Sequence, residues 1–244
     1  MQSFFTEFTA AKAAFYMTML AYVSIAAIAV MAEPYLSLPC DEQVYNIEFP
    51  NVFYHHNPCT FDKRYWQLLG LKRIECVFGR HLVVSVILGS IIGYERRYVH
   101  IHNVHEMASC GPLLIAMNMF SVLFDRGPDR PAGIRTMALI ALAACLFTIN
   151  SIFALEVSPM SWDPARVSAA LPSGVGFLGA ALIVKDKKKD IDGEIQHFVK
   201  GINTAASVWL SAAVGAACGG GLYFVASFTT ALMLNITKVW TENS

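Results

Sequence analysis

Apolar and polar residues alternate along this chain on the scale of whole membrane crossings. Six apolar runs, Ala10–Ala32, Phe78–Tyr94, Ala132–Leu155, Pro164–Val184, Ile202–Cys218 and Gly219–Ile236, are separated by stretches that hold most of the charge. A helix needs about 20 apolar residues to cross a bilayer, with about 17 as the lower limit, and all six runs reach it. The pattern predicts an all-α fold, a polytopic transmembrane helical bundle of about six spans. Met107–Phe124 is also apolar, but Gly111-Pro112 and Asn118 interrupt it. Arg96, Arg97, Arg126 and Arg130 flank it on both sides, and Lys185, Lys187, Lys188, Lys189 and Lys200 fill a later loop. Basic residues collect on the cytoplasmic side, so a re-entrant or interfacial Met107–Phe124 keeps both clusters on one face. That reading puts both termini inside and Glu33–Val77 outside.

These boundaries divide the chain into an N-terminal transmembrane helix (1–32), an extramembrane segment (33–77), a membrane domain (78–236) with an insertion at 98–130, and a short tail (237–244). The segment 33–77 is too small to be an independent enzyme domain. Composition agrees with a lipid setting. The 244 residues are 55% hydrophobic and only 15% charged, against roughly 25% charge in soluble domains, and the mean hydropathy is +0.48. A formal net charge of +0 argues against nucleic acid as a partner. Ala10–Ala32 is too long for a signal-peptide core and lacks a small-x-small cleavage site, so it is expected to be a retained membrane helix. Arginine is absent from the first 60 residues, unlike an organelle transit peptide. The expected location is a plasma (inner) membrane, with an organelle membrane as the alternative. The six cysteines form no CxxC pair, which excludes a zinc ribbon or thioredoxin-like motif. Cys110, Cys145 and Cys218 lie in apolar runs, whereas Cys40 and Cys59 lie in the polar segment and are a candidate disulfide if it faces an oxidising compartment.

Two tetrapeptides nearly match: Gly133-Ile134-Arg135-Thr136 and Gly201-Ile202-Asn203-Thr204. The match extends backwards, since Leu88-Gly89-Ser90 through Glu95 aligns with Leu178-Gly179-Ala180 through Lys185. Each is followed by a charged connection, Gly-Ile-x-Thr and an alanine-rich helix. Residues 80–155 and 166–218 therefore read as two copies of one helical hairpin, parallel repeats about an axis normal to the membrane. Gly133 and Gly201 would then be equivalent positions at one face, where Arg135 and Asn203 meet. Gly89/Gly93 and Gly215/Gly219, at i, i+4 spacing, allow helix backbones to approach closely. Gly174, Gly176 and Gly179 fit G-x-G-x-x-G, but no strand precedes them, so packing is the expected use rather than a dinucleotide. Pro172 beside Ser173 predicts a break in that helix, either a plain kink or a cavity-lining interruption.

Four blocks after residue 80 resemble the membrane domain of the MgtC/SapB family. Leu88-Gly89-Ser90-Ile91-Ile92-Gly93-Tyr94-Glu95-Arg96 is similar to its small-residue helix ending in Glu-Arg, and Ala132-Gly133-Ile134-Arg135-Thr136 to its Ala-Gly-Leu-Arg-Thr. Ser173-Gly174-Val175-Gly176-Phe177-Leu178-Gly179-Ala180 and Lys200-Gly201-Ile202-Asn203-Thr204-Ala205-Ala206 match two further blocks in the same order. The chain departs from the family at Leu210, where a cysteine is usual after Trp209, and at Ala170, where a glutamine is usual. The resemblance implies an integral membrane protein linked to magnesium and ion homeostasis by regulating other membrane complexes, such as an ATP synthase. A passive or secondary Mg²⁺ transporter is the alternative, and a structural subunit of a larger membrane assembly is the third option; the candidate partners are other membrane proteins and a second copy of the chain in a homo-oligomer.

Candidate chemistry gathers at the cytoplasmic helix ends. Charge at mid-bilayer costs about 2.5–3.5 kcal/mol, so Glu95, Arg135 and Asp186 are expected to pair, with Glu95–Arg135 the first choice, or to face water. The bland reading is interfacial anchoring. The functional one is a polar vestibule in which Glu95 and Asp186 attract a cation while Thr136, Asn203 and Thr204 supply neutral oxygens, a set that suits hydrated Mg²⁺. His102, His105 and Glu106 share a face if they are helical and form a weaker metal candidate. Asp163 and Arg166 read as a pair at a helix N-terminus. No G-x-S-x-G, H-E-x-x-H or Walker A pattern occurs, so no enzyme and no resident cofactor is expected, with Mg²⁺ the candidate ligand.

Overall fold

The computed structural model describes residues 10–36, 61, 63–98, 132–158, 163, 165–189 and 195–242. Met107–Phe124, Cys40, Cys59, His102, His105 and Glu106 lie outside them. Among the described residues six long helices carry the fold: α1 (Ala10–Leu36), α2 (Arg73–Tyr98), α3 (Ile134–Val157), α4 (Ala165–Leu182), α5 (Ile202–Gly219) and α6 (Tyr223–Glu242). In hydrocarbon every backbone N–H and C=O must be satisfied within the segment, and these apolar runs meet that demand as helices. Five contain stretches long and apolar enough to cross a membrane, and α6 contributes a shorter apolar stretch, Tyr223–Thr237. The last apolar run of the sequence starts at Gly219, but a turn through Gly220 and Gly221, the latter at φ +75°, removes its first residues from the helix.

The chain divides into two compact units, residues 1–47 with 55–80, and residues 48–54 with 81–244. In the first, the last turns of α1 pack on the first turns of α2. Gly79 leaves room for Val30, whose Cγ2 would lie 2.9 Å from an added Cβ. The Glu33 carboxylate, buried on α1, reaches Arg73 Nε at 3.0 Å and Arg80 at 3.4 Å. A short antiparallel pair, β1 (Arg64–Tyr65) with β2 (Leu71–Lys72), precedes α2, joined by a 3₁₀ turn at Trp66–Leu68. Tyr65, Leu68, Leu71 and Cys76 form a small core beneath it.

In the second unit α5 is the centre, packed against α3, α4 and α6. Its contact with α3 is made by small residues. An added Cβ at Gly215 would run into Ala141, and one at Gly219 would lie 2.7 Å from Cys145 O. Ser211, fully buried, donates to Met137 O at 2.8 Å. Each of these partners is 74 positions from its mate, so α3 and α5 run parallel with a common i+4 stripe. Between α4 and α5 the loop expected from the lysine-rich sequence is instead an antiparallel ribbon, β3 (Val184–Lys189) with β4 (Ile195–Lys200). The helix break expected at Pro172 does not occur: α4 runs unbroken from Ala165 to Leu182 with Pro172 inside it.

Candidate functional site

Gly133 and Gly201 stand as the N-caps of α3 and α5, and each C=O accepts the first intrahelical bond, from Met137 N at 3.1 Å and Ala205 N at 2.9 Å. The two hairpins share their internal register. A Cβ added at Gly89 would lie 3.0 Å from Met137 O, and one at its counterpart Gly179 would lie 3.9 Å from Ala205 O. One turn further, a Cβ added at Gly93 would lie 3.2 Å from Gly133 O, while Ile183 Cα lies 3.6 Å from the Cβ position of Gly201. Gly89 with Gly179, and Gly93 with Ile183, therefore meet equivalent positions of the following helix, more tightly at the glycines of the first copy. Gly201 sits at φ +92° against Leu182 O, a conformation that glycine alone adopts easily.

The two copies are not level. Residues in contact across α3 and α5 are 74 apart, whereas the capping glycines are only 68 apart, a stagger of six residues or about 9 Å at 1.5 Å per residue. Arg135 and Asn203 thus start parallel helices at the same end of the bundle but are offset along the axis by the same distance. Both are exposed, while Thr136 and Thr204 are half-buried in the same first turns. Asn203 O accepts from Ser207 Oγ at 2.8 Å.

Glu95 ends the family-like stretch of α2. Both of its carboxylate oxygens are buried and have no hydrogen-bond partner, so the hydrogen-bonded pair with Arg135 suggested by the sequence is not formed. A buried, unsatisfied carboxylate is costly and uncommon. Asp186 lies elsewhere, exposed on β3 and paired with Lys200 Nζ at 3.2 Å across the ribbon. The two acids thus stand at different helix starts, Glu95 two residues after Gly93, which packs on Ile134 at the start of α3, and Asp186 in a solvated ion pair with Lys200, next to Gly201 at the start of α5. Among the described residues no group of three or more His, Cys, Asp and Glu is placed to hold a metal ion.

The glycines also divide. Gly89, Gly93, Gly215 and Gly219 lie in tight contacts, and Gly179 in an ordinary one, but Gly174 and Gly176 have nothing within 4 Å of a Cβ position. Val175, the buried residue of α4, and Gly179 define the face toward α5, which leaves Gly174 and Gly176 about 100° to either side. At the start of α4 the Ala165 N–H donates to Asp163 Oδ1 at 3.0 Å, with Arg166 Nε 3.7 Å from Oδ2. Two structural residues escaped the sequence reading. Ser211 was signalled by the Ser-x₃-Gly-x₃-Gly stripe ending at Gly219. Glu33 carried no signal beyond being an acid at the end of an apolar run.

The fold is that of a multi-pass integral membrane protein, built on parallel helices that start from paired Gly-Ile-x-Thr signals. The profile of the MgtC family matches residues 82–243, and the chain belongs to the MgtC family. It is 34% identical over 158 residues to Protein MgtC of Brucella abortus, covering 65% of this chain and 49% of that protein. It is 31% identical over 154 residues to Protein MgtC of Salmonella typhimurium, covering 63% and 48%. A Haemophilus influenzae protein is 40% identical over 129 residues, covering 50% and 51%. The matches span about half the length of these curated relatives. No solved structure matches the chain.

Proposed function

We propose that this protein is a non-catalytic regulator of the bacterial plasma membrane that acts in magnesium and ion homeostasis by docking on other membrane complexes. The observation that carries this reading is the uncovered outer side of α4, with Ser173 and Phe177 at its middle and Gly174 and Gly176 on its two flanks. Ser173, Gly174, Gly176 and Phe177 are exposed, and the space above both glycines is empty to 4 Å. Small residues that let a second helix approach closely are the usual basis of association in lipid. In addition, backbone meets backbone between α3 and α5 at Gly215 and Gly219, which leaves no polar passage along that seam. The name of the relatives, Protein MgtC, points the regulated process toward magnesium.

A photo-crosslinking residue at Phe177 should capture a defined membrane protein in cells, whereas one at Leu146, exposed on α3, should capture only lipid. Absence of an adduct at Phe177 would sink the docking reading. The second reading, passive or secondary transport of a divalent cation, draws on the unpartnered Glu95 carboxylate. Mg²⁺ flux into proteoliposomes that is lost on Glu95→Gln would establish transport in place of regulation.

A further inference from the structure

The turn that leads into α2 exposes what a soluble fold would bury. Trp66 is 93% exposed and Leu69 58%, while their neighbours Tyr65 and Leu68 are 9% and 1% exposed. This division is built into the backbone. The 3₁₀ turn ends on Leu69 at φ +57° and Gly70 at φ +76°, and Gly70 N donates to Tyr65 O at 3.0 Å. A left-handed leucine is uncommon. Here it reverses the chain within a few residues, so that Tyr65 and Leu68 stay in the small core and Trp66 and Leu69 point away from it. The Lys72 N–H donates to Glu75 Oε2 at 2.8 Å, which fixes the turn to the first residues of α2.

Basic residues outnumber acidic ones around this apolar tip, which Asp62 and Glu75 flank. Residues 63–73 contain Lys63, Arg64, Lys72 and Arg73 and no acidic residue. Arg73 is engaged by Glu33, and Lys63 Nζ lies 5.5 Å from the centroid of the Tyr65 ring. The turn also has a defined depth, because β2 runs directly into the Arg73–Glu95 span. It therefore stands at the level where the hydrocarbon begins. A tryptophan at that level, with basic residues in the same turn, is the arrangement that holds a protein in the headgroup layer of an anionic leaflet.

We propose that the Lys63–Arg73 turn is a lipid-docking surface, with Trp66 and Leu69 inserted in the interface and Lys63, Arg64 and Lys72 bound to the headgroups of anionic phospholipids. This surface is independent of the α4 face on which the regulatory reading rests. The test uses the full chain with Trp162→Phe, Trp209→Phe and Trp240→Phe, so that Trp66 alone reports, reconstituted in vesicles of phosphatidylglycerol and phosphatidylcholine. Trp66 should emit to the blue of a water-exposed indole and be quenched by brominated lipid. Its quenching by brominated phosphatidylglycerol should exceed that by brominated phosphatidylcholine at equal mole fraction by about twofold or more, given the pull of an anionic surface on several basic residues. Adding Lys63→Gln, Arg64→Gln and Lys72→Gln should bring that ratio to one while leaving the blue shift in place. Emission typical of water with no quenching by either lipid would overturn the proposal and leave this surface to a protein partner. Equal quenching by the two lipids before the charges are removed would overturn its headgroup part.

Discussion

Gly215→Ala tests the α3–α5 contact at its closest point. The added methyl would stand 2.7 Å from Ala141 Cα and 2.8 Å from its carbonyl carbon, where ordinary contact begins at 3.4 Å. Both are main-chain atoms, so no side chain can swing aside. The Ala141 carbonyl oxygen stands closer still, so the helices must part by roughly 1 Å or more, and overpacking of this kind costs about 1–3 kcal/mol. Parting also stretches the Ser211–Met137 hydrogen bond one turn along the stripe, where such bonds between membrane helices average about 0.6 kcal/mol. Alanine's better helix propensity returns up to about 1 kcal/mol. The expected net loss is about 1–2 kcal/mol, roughly a five- to thirtyfold shift of the unfolding equilibrium. Gly176→Ala is the matched control, because its methyl meets nothing within 4 Å and keeps only the propensity gain. Unfolding by SDS in mixed micelles, followed by far-ultraviolet circular dichroism, should place the Gly215→Ala midpoint well below that of Gly176→Ala. A midpoint for Gly215→Ala at or above the control would refute the packing argument.

Three further changes probe other parts of the fold. Glu33→Gln strands two arginines, and the loss should fall at the low end of the roughly 3–5 kcal/mol typical of a broken buried pair, because Arg73 is 36% exposed and partly screened. The double variant Glu33→Gln/Arg80→Gln should be less damaged than the sum of the single changes; strict additivity would show that the two side chains do not interact. Gly201→Ala must hold a left-handed backbone, a strain of about 1–3 kcal/mol, and also meets Leu182 O, so it should lower the SDS midpoint by at least as much as Gly215→Ala. Asp186→Asn removes an exposed ion pair and should cost less than about 1 kcal/mol; a larger loss in the same assay would mean that Asp186 supports the bundle rather than the surface ribbon.

Much of the architecture could be read from the residues in order. The apolar runs located all six helices, because a backbone in lipid has few choices besides a helix. Of the repeat read from Gly-Ile-x-Thr, one pair of glycine contacts matches, since Gly89 and Gly179 each face the position four residues beyond a capping glycine, but the stagger keeps Gly133 and Gly201 from the level positions that the repeat expects. Parallel packing of α3 and α5 follows from both helices starting at the same end. The candidate site was less legible. Hydropathy reports that a charge lies near a helix end, but it does not report which neighbour the charge meets. Asp186 was grouped with Glu95 from the sequence, yet the ribbon register carries it to Lys200.

By itself the sequence determined the helix positions, the family and the small-residue stripe, since these depend on local composition and on spacing of four within one helix. Only the tertiary structure decided the six-residue stagger that offsets Arg135 from Asn203 along the bundle. It alone showed that Gly215 is consumed by Ala141 while Gly176 stays open, and that Glu33 bridges Arg73 and Arg80. Each of these depends on how far one helix slides and turns against another. That displacement is set by the summed packing of many side chains across the contact, and no single segment of the chain encodes it.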